Sequence, residues 1–178
     1  MQYWFETQDW LSPLVKDVSR RIIELGGRPY LVGGAVRARV REEVTGVKEG
    51  IKDFDIASDL SVEYLMEKGV PGTTTVNLGR STKYGVIAFA KRYEGFQGKP
   101  GHVDTIEIAT LRKDRQVGPK RTDVKVEFTS SVVEDLGRRD MPFNSMAYDL
   151  ATGEFFDPFD GRGSITSGVA QATGDPFQ

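Results

Sequence analysis

Alternating helical and strand-like segments along 178 residues predict an α/β (α+β) domain. Residues 29–44 read as a strand, a double glycine and a helix, and residues 84–111 as the two strands of a hairpin. Capped or amphipathic helical segments stand before and after them. A chain of this length buries about 70% of its unfolded surface, enough for one core and too little for a second full domain.

Ser12-Pro13 followed by Leu14, Val15, Val18, Ile22 and Leu25 predicts an amphipathic helix. The serine caps it, proline takes the first helical position, and Gly26-Gly27 ends it. Pro29-Tyr30-Leu31-Val32 is a short apolar strand running into Gly33-Gly34, and Ala35 to Val44 a helix carrying Arg37, Arg39 and Arg41. Residues 46–50 form a loop, Lys52 to Ala57 a second strand, and Ser61 caps a helix from Val62 to Lys68 that Gly69 stops. Tyr84 to Ala90 and Val103 to Leu111 pair as an antiparallel hairpin whose extended tip is Tyr93 to Gly101. Gly118 to Asp123 is expected to be mobile. Ser131 to Leu136 and residues 138–148 are expected to be helical, the second broken or offset at Pro142. Glu154 to Asp157 is a short strand before the turn Pro158-Phe159-Asp160-Gly161, and the last dozen residues carry little core.

Composition narrows the chemistry. The 24 Lys and Arg against 26 Asp and Glu give a net charge of −2, and there is no cysteine and one histidine, His102. Disulfides, thiolate zinc sites, cysteine nucleophiles and multi-histidine metal sites are thereby excluded, and a metal must be held by carboxylates, which suits magnesium. His102, at the base of the hairpin, reads as a surface residue. No apolar run is long enough to span a bilayer, and the first residues lack the pattern of a signal peptide, so a cytoplasmic protein with no membrane partner is expected.

The first candidate site is Asp53-Phe54-Asp55. On a strand, residues two apart project from one face about 6–7 Å apart, so both carboxylates look the same way while Phe54 and Ile56 face the core. Two such charges repel unless a cation neutralises them, a spacing suited to magnesium in phosphoryl or nucleotidyl transfer. An exposed strand can carry two aspartates by chance, so a solvated face stays equally open for this motif alone. An EF-hand reading fails, because Ala57 replaces a loop ligand and the turn glycine is absent.

Gly33-Gly34 is the second. Without side chains the pair lets backbone N–H groups approach a phosphate at the positive end of the following helix, where Arg37 can add a charged contact. A tight turn is the plain alternative, and neither common nucleotide-loop signature is present. The third is the run Glu134-Asp135-Leu136-Gly137-Arg138-Arg139-Asp140 with Asn144: adjacent arginines on a helix point about 100° apart, so one can face a ligand while the other pairs with an acid, or both can belong to a solvated salt-bridged face. Glu107, on the hairpin strand, can join the aspartates across neighbouring strands or be a surface glutamate. Residues 111–125 hold Arg112, Lys113, Arg115, Lys120, Arg121 and Lys125 against Asp114 and Asp123, a local +4 that suits a polyanion or a soluble loop.

Taken in order, Leu31 to Arg37, Asp53 to Ser58, Glu107 to Arg112, Glu134 to Asp140 with Asn144, and Phe156 to Gly161 resemble the catalytic head of the bacterial tRNA nucleotidyltransferase (CCA-adding enzyme) and poly(A) polymerase family. The resemblance covers nearly the whole chain. It implies a polymerase-β-like nucleotidyltransferase fold, a small mixed sheet flanked by helices. It implies Asp53 and Asp55 as magnesium ligands, Glu107 as a supporting catalytic carboxylate, and Gly33, Gly34, Arg37, Arg139, Asp140 and Asn144 as nucleotide-binding residues. The implied reaction is attack of an RNA 3′-hydroxyl, foremost that of tRNA, on the α-phosphate of ATP or CTP with release of pyrophosphate.

Two positions depart from the family pattern: Ala38 stands where an acid usually follows the arginine, and Pro142 interrupts the segment after Arg139-Asp140. The resemblance also implies neck, body and tail domains beyond the head. The head is therefore expected over residues 1–165 with a tail at 166–178 where a neck would begin, and a second protein chain is one source of base selection. A non-catalytic RNA- or protein-binding head and a sugar-nucleotide glycosyltransferase are the alternative functions.

Overall fold

The computed structural model describes residues 2–76, 78–95, 100–119 and 124–169. Along the chain lie α1 (Pro13–Glu24), β1 (Pro29–Val32), α2 (Gly34–Thr45), β2 (Asp55–Ser58), α3 (Val62–Lys68), β3 (Thr74–Val76), β4 (Val86–Tyr93) and β5 (His102–Thr110). They are followed by β6 (Arg112–Gln116), β7 (Val124–Phe128), α4 (Val132–Gly137), β8 (Ala147–Asp149), β9 (Phe155–Phe156) and α5 (Gly161–Ser167). Seven strands form one mixed sheet in the order β3-β4-β5-β2-β1-β8-β9, and β6 with β7 forms a separate ribbon. Among the described residues only the β2–β5 pairing, Asp55 opposite Glu107, is parallel.

Alternation along the strands divides the core between the two sheet faces. Leu31, Ile56, Ile87, Phe89, Ile106 and Ile108 pack with Leu14, Val15, Val18 and Ile22 of α1 and Ala35, Val36 and Val40 of α2. The other face carries Tyr30, Val32, Ala57 and Ala147 under Val132 and Leu136 of α4. Asp55 and Glu107 belong to this second face. The first helix, the first strand, α2, α3 and the β4–β5 hairpin form as expected, with Ser12 and Ser61 accepting the capping bonds from Val15 and Tyr64.

Several elements differ from expectation. β2 starts at Asp55, three residues later than Lys52, because its antiparallel neighbour β1 ends opposite it at Val32 and the chain then turns away at Gly33, so Asp53 precedes the strand. Residues 138–148 are not a helix. Pro142, which has no N–H to continue one, opens a single 3-10 turn over Pro142–Asn144, and Ala147 to Asp149 then pair with β1. The charged stretch after Leu111 is the β6–β7 ribbon rather than a loop, with Lys120, Arg121 and Asp123, and most of the segment expected to be mobile, outside the described residues. β3 and α5 had no counterpart in the sequence reading. α5 runs past residue 165, and residues 170–178 of the expected tail also lie outside the described residues.

Asp149 anchors the β8–β9 corner. Its fully buried carboxylate accepts from Arg28 Nη2 at 2.6 Å, from the Ala151 N–H at 2.8 Å and from the Thr152 N–H at 3.1 Å. Asp149→Ala leaves two backbone donors without an acceptor and should lower the unfolding free energy by about 2–3 kcal/mol in urea titration. Arg28→Ala, whose side chain is 55% exposed, should cost under about 1 kcal/mol.

Candidate active site

The site is built where β1 gives way to α2. Gly33 lies between them with φ +74°, a conformation that side chains resist, and a Cβ placed on it would stand 3.0 Å from Asp55 Oδ2. The bare backbone therefore passes directly against the first acid of β2. At the next residue, a Cβ on Gly34 would stand 3.9 Å from Arg37 Nη2, so the Arg37 guanidinium folds back over the start of its own helix. Two glycines thus separate a carboxylate from a guanidinium.

The N-terminus of α2 is left open in another sense. Among the described residues, α1, α3, α4 and α5 each receive a side-chain cap from Ser12, Ser61, Ser131 or Asp160, whereas α2 has none. Its first-turn N–H groups and its dipole are available to an anion.

Asp55 is half-buried and Glu107 faces it across the parallel ladder. Burial pushes the Asp55 carboxyl above its ordinary value, the charge of Glu107 pushes it further and that of Asp53 adds to this, while Arg139 acts in the opposite direction. Asp53 is exposed on the segment leading into β2 and lines a cleft of about 430 Å³ with Lys52, Phe54, Val103, Asp104 and Thr105. Among the described residues no three Asp, Glu, His or Cys side chains converge to enclose a metal by themselves. An all-oxygen pair of carboxylates, strained by mutual repulsion and open to solvent, fits a hard divalent ion that completes its shell with water and phosphate oxygens.

The sequence run 134–144 folds around this cluster. Arg37 Nη1 donates to Asn144 Oδ1 at 2.7 Å, and the guanidinium lies 5.9 Å from the centre of the Phe143 ring. Arg139 donates through Nη2 to Asp135 Oδ2 at 3.2 Å, and Arg138 through Nε to Asp135 Oδ1 at 3.0 Å. Of the nucleotide-binding candidates, Gly33, Gly34, Arg37 and Asn144 come together, and Arg139 reaches the acids electrostatically. Asp140 is exposed beyond Arg139, and among the described residues its carboxylate has no hydrogen-bond or ion-pair partner. Asp135 stood in the third candidate run without a role of its own, and Phe143 was not among the sequence candidates. For Asp135 a signal existed, since it precedes the two arginines by three and four residues, the spacing of helical neighbours. His102 is 63% exposed.

Comparison with known proteins gives this arrangement a family. The profile described as the poly A polymerase head domain matches residues 29–171. The chain belongs to the poly(A) polymerase head-domain family. It is 34% identical over 162 residues to the CCA-adding enzyme of Bacillus subtilis (strain 168), covering 89% of this chain and 34% of that protein. It superimposes on the crystal structure of the Bacillus stearothermophilus CCA-adding enzyme in complex with CTP with a TM-score of 0.66 and 25% identity, over 92% of this chain and 34% of that one. A tRNA nucleotidyltransferase complexed with a primer tRNA and an incoming ATP analog shares the fold at 24% identity and a TM-score of 0.54, over 88% of this chain and 39% of that one. The chain therefore spans about a third of the length of these relatives. The head-domain family accounts for the mixed sheet flanked by helices, and the nucleotidyltransferase fold expected from the sequence is borne out.

Within that family fold, the charge on Asp55 is held against a folding penalty. Its carboxyl titrates above the unfolded value, so folding favours the protonated form. The contribution of this group to stability is greatest below the unfolded value and is lost as pH rises through the raised folded value. Asp55→Asn should therefore melt a few degrees higher than the parent at pH 7 in the presence of a chelator. That advantage should vanish below the ordinary carboxylate value of 3.8, as read by calorimetry across pH.

Proposed function

We propose that this domain transfers nucleotides from ATP or CTP to an RNA 3′ end, tRNA foremost, with release of pyrophosphate. The observation that carries the reading is the contact of Gly33 with Asp55 beside the uncapped start of α2, where the acids and a phosphate-receiving backbone share one edge. The names of the relatives, CCA-adding enzymes, point the same way.

In this reading the triphosphate lies on the Gly33-Gly34 backbone, whose N–H groups and helix dipole take up its negative charge. Arg37 adds a guanidinium at the same place, held by Asn144 and backed by Phe143. Arg139 supplies a second positive charge within electrostatic reach of Asp55. Asp53 and Asp55 hold magnesium, with Glu107 as the supporting carboxylate on β5. The ion, when bound, neutralises charge on the phosphates and lowers the pKa of the attacking hydroxyl. No covalent nucleophile is required, since transfer of this kind proceeds by positioning and electrostatic stabilisation.

The two departures from the family pattern fit this reading. Ala38 is buried against the core, and Asn144 takes over the ordering of Arg37 that an acid at 38 would give. Pro142 opens the turn that presents Phe143 and Asn144 to Arg37. A sugar-nucleotide glycosyltransferase would use the same two aspartates but leaves the glycine elbow and the arginine pair without a task. A purely binding head would retain the fold and lose turnover.

With labelled ATP or CTP, tRNA and magnesium, the parent chain should extend the RNA and Asp53→Ala/Asp55→Ala should lose about 10³-fold or more in rate. Equal incorporation by the two proteins overturns the reading, and salt-sensitive RNA binding without extension favours the binding head. Magnesium should raise the melting temperature of the parent and leave that of the double variant unchanged.

Base choice is assigned to contacts outside this domain, from a neck segment or a second protein chain. The domain on its own should therefore use ATP and CTP with kcat/KM values within about 10-fold of each other, equivalent to roughly 1.4 kcal/mol of discrimination.

A further inference from the structure

Two aspartates are buried among the described residues, and they are used differently. Asp149 binds the backbone of its own corner and a mostly exposed arginine. Asp135, 1% exposed, takes Arg138 Nε and the Arg112 N–H on Oδ1, at 3.0 and 3.1 Å, and Arg139 Nη2 on Oδ2 at 3.2 Å. One carboxylate thus fixes two guanidiniums that are each 18% exposed, together with the first residue of the β6–β7 ribbon.

The Arg139 side chain is anchored at one end and unspent at the other. Its Nη2 is committed to Asp135, while its Nε is buried and has no hydrogen-bond partner among the described residues. An unmet buried donor is costly, so the guanidinium is held in place by its Asp135 contact against that cost, with its remaining 18% exposure left for a ligand. The guanidinium also lies close enough to Asp55 for its charge to be felt there. A long flexible side chain held in this way has already lost its rotamer freedom before ligand arrives, which is the condition for tight binding.

We propose that Asp135 is a positioning residue for the nucleotide: it aims the Arg139 guanidinium at the phosphates or ribose of a triphosphate seated on the Gly33-Gly34 backbone beside Asp55. This rests on the nucleotidyl transfer proposed above. Asp135 touches no substrate, and its influence passes wholly through Arg139, with Arg138 sharing the same carboxylate as counterweight. Without the acid, two adjacent guanidiniums would repel and the pair would splay.

The test is a double-mutant cycle on the full chain with ATP and tRNA. Asp135→Asn, close in shape but uncharged, should raise KM for ATP by about 10-fold with a smaller change in kcat, and Arg139→Ala should do at least as much. In the Arg139→Ala background, adding Asp135→Asn should change KM by less than about 2-fold. Effects that multiply overturn the proposal, because an acid acting only on general stability would add its cost independently of Arg139. Should Asp135→Asn fail to fold, Asp135→Glu keeps the charge and shifts the carboxylate by one methylene; it too should raise KM, and an unchanged KM overturns the proposal.

A second readout needs no catalysis. In nucleotide-free protein, the Arg139 Nε–H should exchange slowly by NMR, and Asp135→Asn should abolish that protection while leaving the backbone amide spectrum folded. Retained protection overturns the proposal. If the parent protein neither extends RNA nor binds ATP, the proposed function fails while this signal still decides the role of Asp135.

Discussion

The approach of the Gly33 backbone to the Asp55 carboxylate is the constraint on which the domain depends. A four-residue strand has to end, reverse into a helix, and leave room for an acid from its neighbour, all within one peptide unit. A side chain at 33 would meet the acid at 3.0 Å and would in addition resist the positive φ. The pairing of β1 with β2 places Val32 opposite Asp55, and the pairing of β2 with β5 places Asp55 opposite Glu107. The position of the acids is therefore inherited from strand register, and the position of the uncapped start of α2 is inherited from the same strand.

Charge explains why this edge is polar inside a well-packed sheet. Asp55, Glu107 and Asp53 repel one another, and partial burial adds to the cost of keeping Asp55 ionised. Nothing in the hydrophobic core requires that cost, since Ile56 and Ile108 supply the packing on the opposite face of the same strands. The fold tolerates it through Arg139, whose half-buried charge is balanced by the buried Asp135. The site is thus an acidic cluster and a basic cluster held a short distance apart, each only partly neutralised within the protein. A triphosphate with a divalent ion brings both missing charges at once, which a neutral or singly charged ligand would not.

Much of this was legible in the sequence. The serine-capped α1, the apolar β1 and the β4–β5 hairpin follow local rules, and the glycine pair and the aspartate pair stood out for the chemistry they permit. The misreadings share a cause. Residues 145–150 are all buried, Ser145 and Asp149 included, so β8 has no alternation to betray it and the sequence over 138–148 reads as helix. The start of β2 is set by where β1 stops, which no property of Lys52, Asp53 or Phe54 encodes. In the ribbon, charged side chains such as Lys113, Arg115 and Lys125 hide a strand pairing that is visible only when Arg112 is seen opposite Phe128. α5 begins in Gly-Arg-Gly-Ser, a poor helix former, and is started instead by Asp157 and Asp160, whose carboxylates take the N–H groups of Gly161, Arg162 and Gly163.

The placement of the two arginine systems also bears on how the head divides its labour with whatever surrounds it. Arg37 is steadied by Asn144 and Phe143 from the turn that Pro142 opens, and Arg139 by Asp135 from α4. Both supports come from α4 and the turn that follows it, so a single stretch of chain, residues 135–144, steadies both arginines. The Asn144 carbonyl oxygen is taken up by Arg37 and one guanidinium nitrogen of Arg139 by Asp135; what these arginines and the backbone N–H groups have left suits phosphate and ribose oxygens, which all nucleotides share. The chemistry assembled on this sheet is thus generic to triphosphates. In the proposed transfer, selectivity among bases has to be added by groups that meet the base itself, at a cost in contacts that this edge does not have to bear.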